Sequence, residues 1–585
     1  MTQDTEAFLG VERSLTGRHW AGPSVDTARL AEAMAQETGL PPALSAVLAR
    51  RGVPPNEATA FLAPALRDLL PDPMTLRDMG PATERFLAAV KGREKIAIFA
   101  DYDVDGGASA ALLLCWLRQM GRQATLYIPD RIDEGYGPND EAMADLARRH
   151  ELIVCVDCGT LSHGPIAAAK GADVIVLDHH LGGETLPECV AVVNPNRQDE
   201  SGDLGHLCAA GVVFLLLVEA NRRLRGDGVT GPDLMAMLDL VALATVADVA
   251  PLIGVNRALV RQGLVVMARR QRPGLVALAD VARMDVAPTP YHLGFLLGPR
   301  VNAGGRIGAA DLGARLLATD DAAEAGALAE RLDQLNTERR EIESAVRAAA
   351  MAQAEARGAD GPLVWAAGAG WHPGVVGIVA ARLKETFARP AVVIGLDEAG
   401  LGKGSGRSVA GVDLGAAIQK VAAEGLLLKG GGHRMAAGLS LTEAQLEPAM
   451  ARLGELLARQ GAGTGGPERL RLDAVLMPGA ATPELVSQIE QAGPFGMGAA
   501  APRFAFPDCA IHAARRVGDS HLKITFGDGM GPRIDAICFG AYDGLLGSAL
   551  EKHGGARFHL AGRLEINHWG GRSRVQLRLD DAAPA

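Results

Sequence analysis

The sequence predicts an α/β fold class: a doubly wound parallel-sheet lobe, a long connecting helix, a second α/β lobe and a C-terminal β-barrel. Short apolar runs alternate with helical patterns from Lys95 to Leu177, which is typical of a parallel sheet with crossover helices. A single helical pattern extends from Asp320 to about residue 356. Two segments near the C-terminus alternate apolar and polar residues with period two, as exposed-face strands do.

Three of the apolar runs in the first lobe end on an aspartate. They lead into Asp101, Asp157 and Asp178. Continuous apolar runs of this kind are buried strands, and ligands bind beyond the carboxyl ends of parallel strands. We therefore expect the three carboxylates to converge at one edge of the sheet. A later helical pattern, Leu234 to Val249, carries Asp248.

The long helical pattern has apolar residues at Leu328, Leu332, Leu335, Ile342, Val346 and Ala349, in steps of 4, 3, 7, 4 and 3. These steps fit one amphipathic helix that joins two lobes, and a coiled-coil dimer is the alternative use of the same seam. The expected regions are an N-terminal appendage at 1–90, the first lobe at 91–315, the connecting helix at 316–358, the glycine-rich second lobe at 359–460 and the barrel at 468–585. The length and pattern of the last region fit a barrel of the OB type.

Composition favours a globular protein of the cytoplasm. Of the 585 residues, 48% are hydrophobic and 22% charged, no apolar run reaches the roughly 18 residues of a membrane span, and the first residues carry no basic leader. The seven cysteines are scattered, which favours reduced thiols, and Cys155 with Cys158 lacks the second pair that a zinc site needs. The net charge of −11 does not exclude a nucleic-acid partner, because part of it belongs to the proposed acidic cluster.

The acidic cluster predicts a metal site. The run after the first strand contains Asp101, Asp103 and Asp105, and Asp178 is followed by His179 and His180. So many acids cannot stay ionised together without cations. Carboxylate and imidazole ligands suit Mn²⁺ or Mg²⁺, and two such ions promote hydrolysis of a phosphorus ester or anhydride.

These motifs resemble the DHH phosphoesterase family, in order along the chain. The matching stretches are Asp101 to Gly106, Val156-Asp157, Asp178-His179-His180 and Ala247-Asp248-Val249. The segments Pro129 to Gly137, Pro299 to Arg306, Gly370 to Val379, Gly404 to Ser408 and Gly430 to His433 are similar to the family branch that degrades single-stranded DNA. The resemblance spans roughly residues 90 to 505.

The resemblance implies roles for individual residues. Asp103, Asp105, Asp157, His179 and Asp248 match metal ligands, and Asp105, Asp157, His179 and His433 are the implied catalytic residues. His180 is a possible metal ligand, but it is expected to support the other ligands, with a structural hydrogen bond as the alternative. Arg131, Ser405 and Arg407 match positions that hold a 5′-terminal phosphate, and Arg300 or Arg306 is expected to follow the strand backbone. Gly431 and Gly432 are expected to let backbone N–H groups approach an anion.

The chain departs from the family pattern at Phe99, where many members have a histidine, so that one ion lacks a ligand or borrows Asp101. In the barrel, Phe558 and Trp569 are the candidate residues for stacking on bases, with core packing as the alternative.

The expected activity is 5′-to-3′ hydrolysis of single-stranded DNA to mononucleotides with two divalent cations, Mn²⁺ or Mg²⁺, in recombination and repair. The expected partners are single-stranded DNA, single-strand-binding protein and a repair helicase, and the expected state is a monomer without membrane contact. Alternatives are a phosphodiesterase for short RNA or cyclic dinucleotides, a pyrophosphatase, and an inactive DNA-binding relative.

Overall fold

The computed structural model describes residues 6–131, 134–463, 468–569 and 572–585. The chain forms two compact units. The larger unit comprises Pro71–Pro251 and Leu259–Gly465, and the smaller unit comprises Met1–Leu70, Leu252–Ala258 and Gly466–Ala585. The expected N-terminal appendage is thus divided, since its last residues belong to the larger unit.

The first sheet of the larger unit is parallel throughout, as predicted. Its strands, in spatial order, are Ala124–Tyr127, Ile96–Ala100, Leu152–Val156, Asp173–Leu177 and Ala191–Val193. Every residue of Ile96–Ala100 and Leu152–Val156 is buried, which explains why these strands are apolar without alternation. The short fifth strand was not predicted.

The helix after the first strand, Val104–Gln119, begins directly after Asp103, which caps it. The Asp103 carboxylate accepts hydrogen bonds from the backbone N–H groups of Asp105, at 2.8 Å, and Gly106, at 3.2 Å. Gly106 is required here, since a Cβ at this position would lie 2.4 Å from the carbonyl oxygen of Asp101. The acidic motif is therefore the first turn of a buried helix.

Several other helices of the first lobe pack on the sheet or on the helices that cover it. Leu238–Ala247, which leads into Asp248, is buried almost throughout and packs against Val104–Gln119. The remaining helices are Met79–Gly92, Asp140–Ala147, His163–Ala168, Ala209–Gly226, Gly254–Ala268, Pro273–Val281, a π-helix at His292–Leu297, Gly298–Ile307 and Leu312–Ala318.

The connecting helix, Ala322–Arg357, has 36 residues. The Asp321 side chain accepts hydrogen bonds at its N-terminus, the first of them from the N–H of Ala323 at 2.7 Å. Of its predicted seam, Leu328, Leu332, Leu335 and Val346 are buried and Ile342 is half-buried, against the helices Pro273–Val281, Gly298–Ile307 and Pro373–Phe387. Ala349 is exposed, contrary to the prediction, because the helix places Ala350 on the buried face instead. The apolar side of this helix thus packs against helices of both lobes.

The second lobe is a mixed five-stranded sheet with helices. Its strands, in spatial order, are Lys429–Gly432, Ala436–Thr442, Leu401–Arg407, Ala391–Leu396 and Val364–Ala369. The last two are parallel and the other pairs antiparallel. The helices are Pro373–Phe387, Leu414–Ala423 and Leu446–Arg459.

The smaller unit is built on the predicted OB-type barrel. Its five long strands are Phe504–Val517, His521–Gly527, Ile534–Cys538, Arg557–Trp569 and Arg572–Pro584. The first strand pairs with both the second and the fourth, which closes the barrel. Phe558 is buried in the barrel core, which corrects its assignment as a stacking residue, while the Trp569 side chain lies outside the described residues.

The N-terminal residues of the smaller unit pack beside the barrel. Strand His19–Ala21 pairs in parallel with Arg469–Arg471, and the indole N–H of Trp20 donates a 2.9 Å hydrogen bond to the buried Asp581 carboxylate. The other short elements of the unit are strand Ala474–Val475 and helices Val25–Thr38, Pro42–Arg50, Ala58–Leu62, Leu66–Leu69, Pro483–Glu490 and Leu545–Glu551. Among the described helices, none has the length and hydropathy that a membrane crossing requires.

Candidate metal centre and phosphate-binding cleft

The predicted aspartates meet at the carboxyl edge of the first sheet. Asp101, Asp157 and Asp178 each follow a strand, and these three strands are neighbours. Together with Asp105, from the capped helix, they are only 1–3% exposed. The sheet topology therefore buries four carboxyl groups at one place.

His179 lies at the centre of this cluster. Its Nε2 atom is 3.3 Å from Asp157 Oδ1, 3.6 Å from Asp105 Oδ2 and 3.8 Å from Asp248 Oδ2. Three groups of side chains have potential ligand atoms within 4.8 Å of one another: Asp105 with His179 and Asp248, Asp101 with Asp103 and Asp157, and Asp157 with His179 and His180.

The donor atoms in the cluster fit a cation. Asp101 Oδ1, Asp157 Oδ1 and His179 Nε2 are buried, and none has a hydrogen-bond partner among the described residues. Buried polar atoms are nearly always paired, because leaving one unpaired costs about 1–3 kcal/mol. Carboxylate oxygens and imidazole nitrogen at this spacing are ligands that Mn²⁺ and Mg²⁺ accept.

The carboxyl groups resist ionisation in the absence of a cation. Burial raises the pKa of Asp101 and of Asp157 well above the usual range, and the neighbouring aspartates raise both further. Burial likewise raises the pKa of Asp105, and burial together with Asp105 and Asp103 raises that of Asp248 to about 9. When a cation binds, these carboxyl groups therefore release their protons and become ionised.

Asp157 also has an unusual backbone. Its φ angle is +61°, in the left-handed region that a residue with a side chain seldom adopts. Such a conformation costs on the order of 1–3 kcal/mol and occurs preferentially at functional sites. It is fixed in part by a 3.0 Å hydrogen bond from the Asp157 N–H to the carbonyl oxygen of Leu177.

Asp178 organises the site and does not face the unpaired atoms. Its carboxylate accepts hydrogen bonds from the Thr160 hydroxyl, at 2.7 Å, and from the backbone N–H groups of His179 and His180. Burial opposes ionisation, but the 2.7 Å contact with His180 Nδ1 and the other donors hold the pKa of Asp178 below its ordinary value. The first residue of the Asp-His-His motif thus positions the two histidines.

His180 is held from two sides. Besides Asp178, the Tyr136 hydroxyl lies 3.1 Å from its Nδ1 atom, and the same hydroxyl donates to the Asp157 carbonyl oxygen at 3.0 Å. Burial lowers the pKa of His180, but the Asp178 carboxylate outweighs this and raises it to about 9. This arrangement fits a supporting role better than direct ligation.

A cavity of about 480 Å³ opens beside the cluster. The side chains that line it carry both charges: the acids are Asp101, Asp103, Asp105 and Asp248, the arginines are Arg131, Arg306 and Arg407, and Tyr102, Tyr136, His180 and Asn302 complete the lining. Burial, and then the neighbouring Arg131 and Arg339, lower the pKa of Arg306 to about 10. Burial and Arg131 also lower the pKa of Arg407. Clustered buried cations of this kind favour an anion between them.

Ser405, in the second lobe, contacts Arg407 of the cavity lining. Arg407 donates a 2.9 Å hydrogen bond to the Ser405 hydroxyl, and both lie against Gly377, where a Cβ would be 3.0 Å from Ser405 Oγ and 3.1 Å from Arg407 Nη2. Arg306 is tied to the same lobe by a 2.9 Å bond to the Gly374 carbonyl oxygen. The lobes thus share one cleft.

Arg300 and His433 are not among the residues that line this cavity. Arg300 forms a 2.8 Å ion pair with Asp333 and donates to the Leu296 carbonyl oxygen, so its guanidinium is already engaged. His433 is exposed in the turn before Ala436, and its side chain is not among those lining the cavity. Their predicted roles stay predictions.

Gly431 and Gly432 end the edge strand of the second sheet. Gly432 has φ +146°, and a Cβ there would lie 2.5 Å from the Cα atom of Ala437. Around Gly431 there is open space, with no atom within 4 Å of a Cβ position. Gly432 is therefore required by the fold, whereas Gly431 leaves room for an approaching group.

Several residues of the site were missed from the sequence. Asn194 donates to Thr160 Oγ1, at 2.8 Å, and to the His180 carbonyl oxygen, at 2.7 Å. Asn302 accepts from the Val104 N–H at 3.1 Å. Asn194 directly follows the fifth strand, so the rule that identified the aspartates would have found it, had that three-residue strand been recognised.

Phe99 has a structural role. It is fully buried in the sheet and stacks on Tyr127, with ring centroids 5.3 Å apart. Asp101, two residues later, brings an unpaired carboxylate oxygen to the cluster. The predicted use of Asp101 in place of the missing histidine therefore remains open and is consistent with this geometry.

Three family models match the chain. They are the DHH family N-terminal domain over residues 95–245, the DHHA1 domain over residues 360–459 and the RecJ OB domain over residues 472–581. The first two cover the lobes that form the cleft.

Curated relatives match over nearly the full length. The single-stranded-DNA-specific exonuclease RecJ of Dickeya dadantii is 38% identical, over 94% of this chain and 98% of the relative. The protein of the same name from Escherichia coli is 37% identical, over 93% of this chain and 96% of the relative.

Solved structures agree with these matches. RecJ from Thermus thermophilus in complex with Mn²⁺ has a TM-score of 0.80 at 30% identity, covering 96% of this chain and 79% of the other. The same protein in complex with Mg²⁺ has a TM-score of 0.74 at 28% identity, covering 97% and 78%. Given the matched motifs, domains and fold, this chain belongs to the RecJ family of the DHH phosphoesterases, whose curated members are described as single-stranded-DNA-specific exonucleases.

Proposed function

We propose that the protein is a 5′-to-3′ exonuclease that hydrolyses single-stranded DNA to 5′-mononucleotides with two divalent cations. The observation that carries this proposal is a group of buried, unpaired ligand atoms, among them Asp157 Oδ1 and His179 Nε2, beside a cavity that is lined by both aspartates and three arginines. A cation site and an anion site that share one cavity suit a phosphodiester.

Two of the groups of potential ligands would each hold one ion. One set is Asp105, His179 and Asp248, and the other is Asp101, Asp103 and Asp157. When bound, Mn²⁺ or Mg²⁺ supplies Lewis-acid stabilisation of the charge that develops on the phosphate oxygens and on water. Asp157 lies close enough to His179 to be shared by both sets.

The arginines of the cleft select the strand end. Arg131, Arg306 and Arg407 remain charged and can hold a terminal phosphate through paired N–H groups, while Ser405 fixes the orientation of Arg407. A terminal phosphate bound by these arginines would lie in the same cavity as the aspartates. This geometry favours removal of one nucleotide at a time from the 5′ end.

The size of the cleft supports a small terminal substrate. Its volume of about 480 Å³ lies within the range of about 300–1,000 Å³ that is typical of small-ligand sites. One nucleotide fits a site of this size. His433, in the exposed turn near Ala436, is proposed to approach the scissile phosphate when DNA is bound.

The wider role is also a proposal. An exonuclease of this polarity serves recombination and repair, and we propose single-strand-binding protein and a repair helicase as partners of a monomeric, cytoplasmic enzyme. The OB-type barrel supports action on a long strand, because such barrels bind oligonucleotides on one face.

End-labelled strands test the activity. With Mn²⁺, the purified protein should release mononucleotide at once from a 5′-labelled single strand, and only late from a 3′-labelled one, while blunt duplex stays intact. The Asp157→Asn variant is the matched control and should be inactive. Early mononucleotide release from the 3′ label would refute the polarity, and preferential cleavage of a cyclic dinucleotide, a short RNA or pyrophosphate would point to the alternative activities of the DHH family.

A further inference from the structure

The two groups of ligand atoms proposed to hold the cations differ in chemistry. One offers carboxylate oxygens alone, and the other includes an imidazole nitrogen. The oxygen-only group is Asp101, Asp103 and Asp157, and the histidine group is Asp105, His179 and Asp248. Mg²⁺ is a hard cation that takes oxygen ligands, whereas an imidazole nitrogen favours a transition metal ion. The metal centre is therefore chemically asymmetric.

The strand that leads into the oxygen-only group brings no imidazole to it. Phe99 lies on the strand Ile96–Ala100, directly before Asp101 in the chain order of the motif. Its ring is fully buried and stacks on Tyr127, with centroids 5.3 Å apart. A phenyl ring offers no ligand atom, so this strand contributes only the carboxylate of Asp101.

His180 is the other imidazole near the oxygen-only group, and it is already engaged. Its Nδ1 atom lies 2.7 Å from Asp178 Oδ1 and 3.1 Å from the Tyr136 hydroxyl. The same hydroxyl lies 3.3 Å from its Nε2 atom. Since both ring nitrogens have partners within the protein, neither is free for a cation.

His179, in contrast, is prepared to bind a metal ion. Its Nε2 atom is buried and has no hydrogen-bond partner among the described residues. Its backbone is held on both sides: the N–H donates to Asp178 Oδ1 at 2.7 Å, and the carbonyl oxygen accepts from Asn196 Nδ2 at 2.6 Å. The histidine group thus has a fixed nitrogen ligand that the oxygen-only group lacks.

The two groups also differ in charge. When ionised, the oxygen-only group has three carboxylates and the histidine group has two. Both oxygens of Asp105 also accept backbone N–H bonds, from Ala209 at 2.7 Å and Ala210 at 2.8 Å, in the first turn of the helix Ala209–Gly226. This positive helix end offsets part of the Asp105 charge. Asp103 accepts such bonds through Oδ1 alone.

We infer that the two ion positions select different metals when both are present: the oxygen-only group binds Mg²⁺, and the histidine group binds Mn²⁺ in preference to Mg²⁺. The inference rests on the proposed two-cation function and assigns an ion to each ligand group. Mg²⁺ keeps several waters in its coordination shell, and the cavity lined by Asp101 and Asp103 provides space for them. His179 Nε2 is the ligand that distinguishes the two positions.

Metal competition in the full-length protein tests the inference. After removal of bound metal with a chelator, Mn²⁺ alone should fill both positions, as measured by calorimetry. With Mg²⁺ in about 1,000-fold excess, one Mn²⁺ per chain should stay bound and the other should be displaced. Electron paramagnetic resonance counts the released Mn²⁺. Its pulsed form should detect a nitrogen nucleus coupled to the ion that is retained.

Variants of similar shape separate the two groups. His179→Gln replaces the nitrogen ligand with an amide oxygen and should lower the preference of the retained position for Mn²⁺ over Mg²⁺ by roughly tenfold or more. Asp101→Asn removes a charge from the oxygen-only group, so it should abolish the displaceable Mn²⁺ and keep the retained one. Asp145, with a 43% exposed side chain paired with Arg148, provides the control Asp145→Asn, which should change neither.

Folding of the variants is checked without metal. Asp101 is only 3% exposed, and an amide is easier to bury than a carboxylate. In chelator, Asp101→Asn should therefore unfold at or above the melting temperature of wild type. A loss of the displaceable Mn²⁺ in this variant then reports on the ligand group and not on the fold.

The outcomes distinguish this inference from the proposed function. Joint displacement or joint retention of both Mn²⁺ ions in excess Mg²⁺ overturns the inference, and so does a nitrogen coupling that persists in His179→Gln. Loss of the retained ion in Asp101→Asn overturns it too. If wild type binds two Mn²⁺ ions that exchange alike, only this inference fails. If wild type binds fewer than two Mn²⁺ ions, the two-cation part of the proposed function fails as well.

Discussion

His179 Nε2 lies 3.3 Å from Asp157 Oδ1, and neither buried atom has a hydrogen-bond partner among the described residues. Two polar atoms at this separation, unpaired and enclosed by further carboxylates, are unfavourable unless a positive charge joins them. Asp157 comes from the carboxyl edge of the sheet and His179 from the Asp-His-His turn. A cation between the two side chains would therefore connect these two segments.

The first prediction concerns pH and metal removal. Burial raises the pKa of Asp157 and Asp101 above the usual range, and that of Asp248 to about 9. The folded protein without cations thus binds protons more tightly than the unfolded chain does. The contribution of these carboxyl groups to stability should be complete near pH 4 and should be lost as the pH rises toward 9. Thermal unfolding in chelator across this range measures the effect.

Adding Mn²⁺ should reverse the trend, since the cation stabilises the ionised carboxylates and binds better as the pH rises. The control is Asp157→Asn, which should be more stable than wild type in chelator near pH 8 and should gain little from Mn²⁺. A melting temperature in chelator that is constant or rises over this window argues against the buried acid cluster.

The second prediction separates the two histidines. His180→Ala removes a donor from the buried Asp178 carboxylate and should lower the free energy of unfolding by about 2 kcal/mol. His179→Ala removes an unpaired atom and should cost less stability but much more Mn²⁺ affinity. Denaturant titration in chelator and Mn²⁺ titration by calorimetry give the two quantities. If both variants lose Mn²⁺ equally, His180 is a ligand.

The third prediction concerns the 5′ end. Arg407→Ala should reduce the preference for a 5′-phosphate over a 5′-hydroxyl strand by about tenfold or more, because charge-assisted hydrogen bonds contribute about 1.5–3 kcal/mol. Its Mn²⁺ affinity should be unchanged. Arg452, whose charge is paired with Glu424 on the same lobe, provides the control variant Arg452→Ala. Parallel loss of metal affinity and end preference would show that Arg407 is misassigned.

The fourth prediction contrasts two arginines of one helix. Arg306 lines the cavity, whereas Arg300 is paired with Asp333. Arg306→Ala should raise KM for single-stranded DNA strongly, while Arg300→Ala should change KM little and lower stability by about 1 kcal/mol or less. Steady-state kinetics and unfolding of both variants test this. A larger KM effect in Arg300→Ala would restore its sequence-based role in following the backbone.

The fifth prediction uses adjacent glycines. Gly432→Ala places a Cβ against Ala437 at an unfavourable φ and should destabilise the second lobe by on the order of 1–3 kcal/mol. Gly431→Ala meets open space and should unfold like wild type. If the Gly431 backbone approaches DNA, this variant loses activity without losing stability. Equal stability loss in both variants contradicts the geometry described for this strand.

The sequence predicted the parts of the site that follow a periodic rule. Strand ends located Asp101 and Asp157, and the motif order located Asp248, because buried parallel strands have a distinctive apolar pattern. The rule failed for Asn194, whose strand has only three residues. Contacts such as that of Tyr136 with His180 depend on loop conformation, which periodicity does not encode.

Burial decided the remaining differences. Phe558 and Phe539 both belong to the barrel region, and only the structure shows that the first side chain is buried and the second is exposed. Arg300 and Arg306 are indistinguishable in a motif, yet an acidic partner, Asp333, is available only to Arg300. Side-chain partners from distant segments therefore set roles that local sequence leaves open.

The metal centre is tested most directly by a crystal structure of the protein grown with Mn²⁺ and measured for anomalous scattering. We expect two peaks about 3.5–4 Å apart, the spacing of two-metal sites, with one beside His179 and Asp248 and the other beside Asp101 and Asp103. Asp157 should contact both. The absence of any peak between His179 and Asp157, in a protein that still hydrolyses single-stranded DNA, would contradict the account.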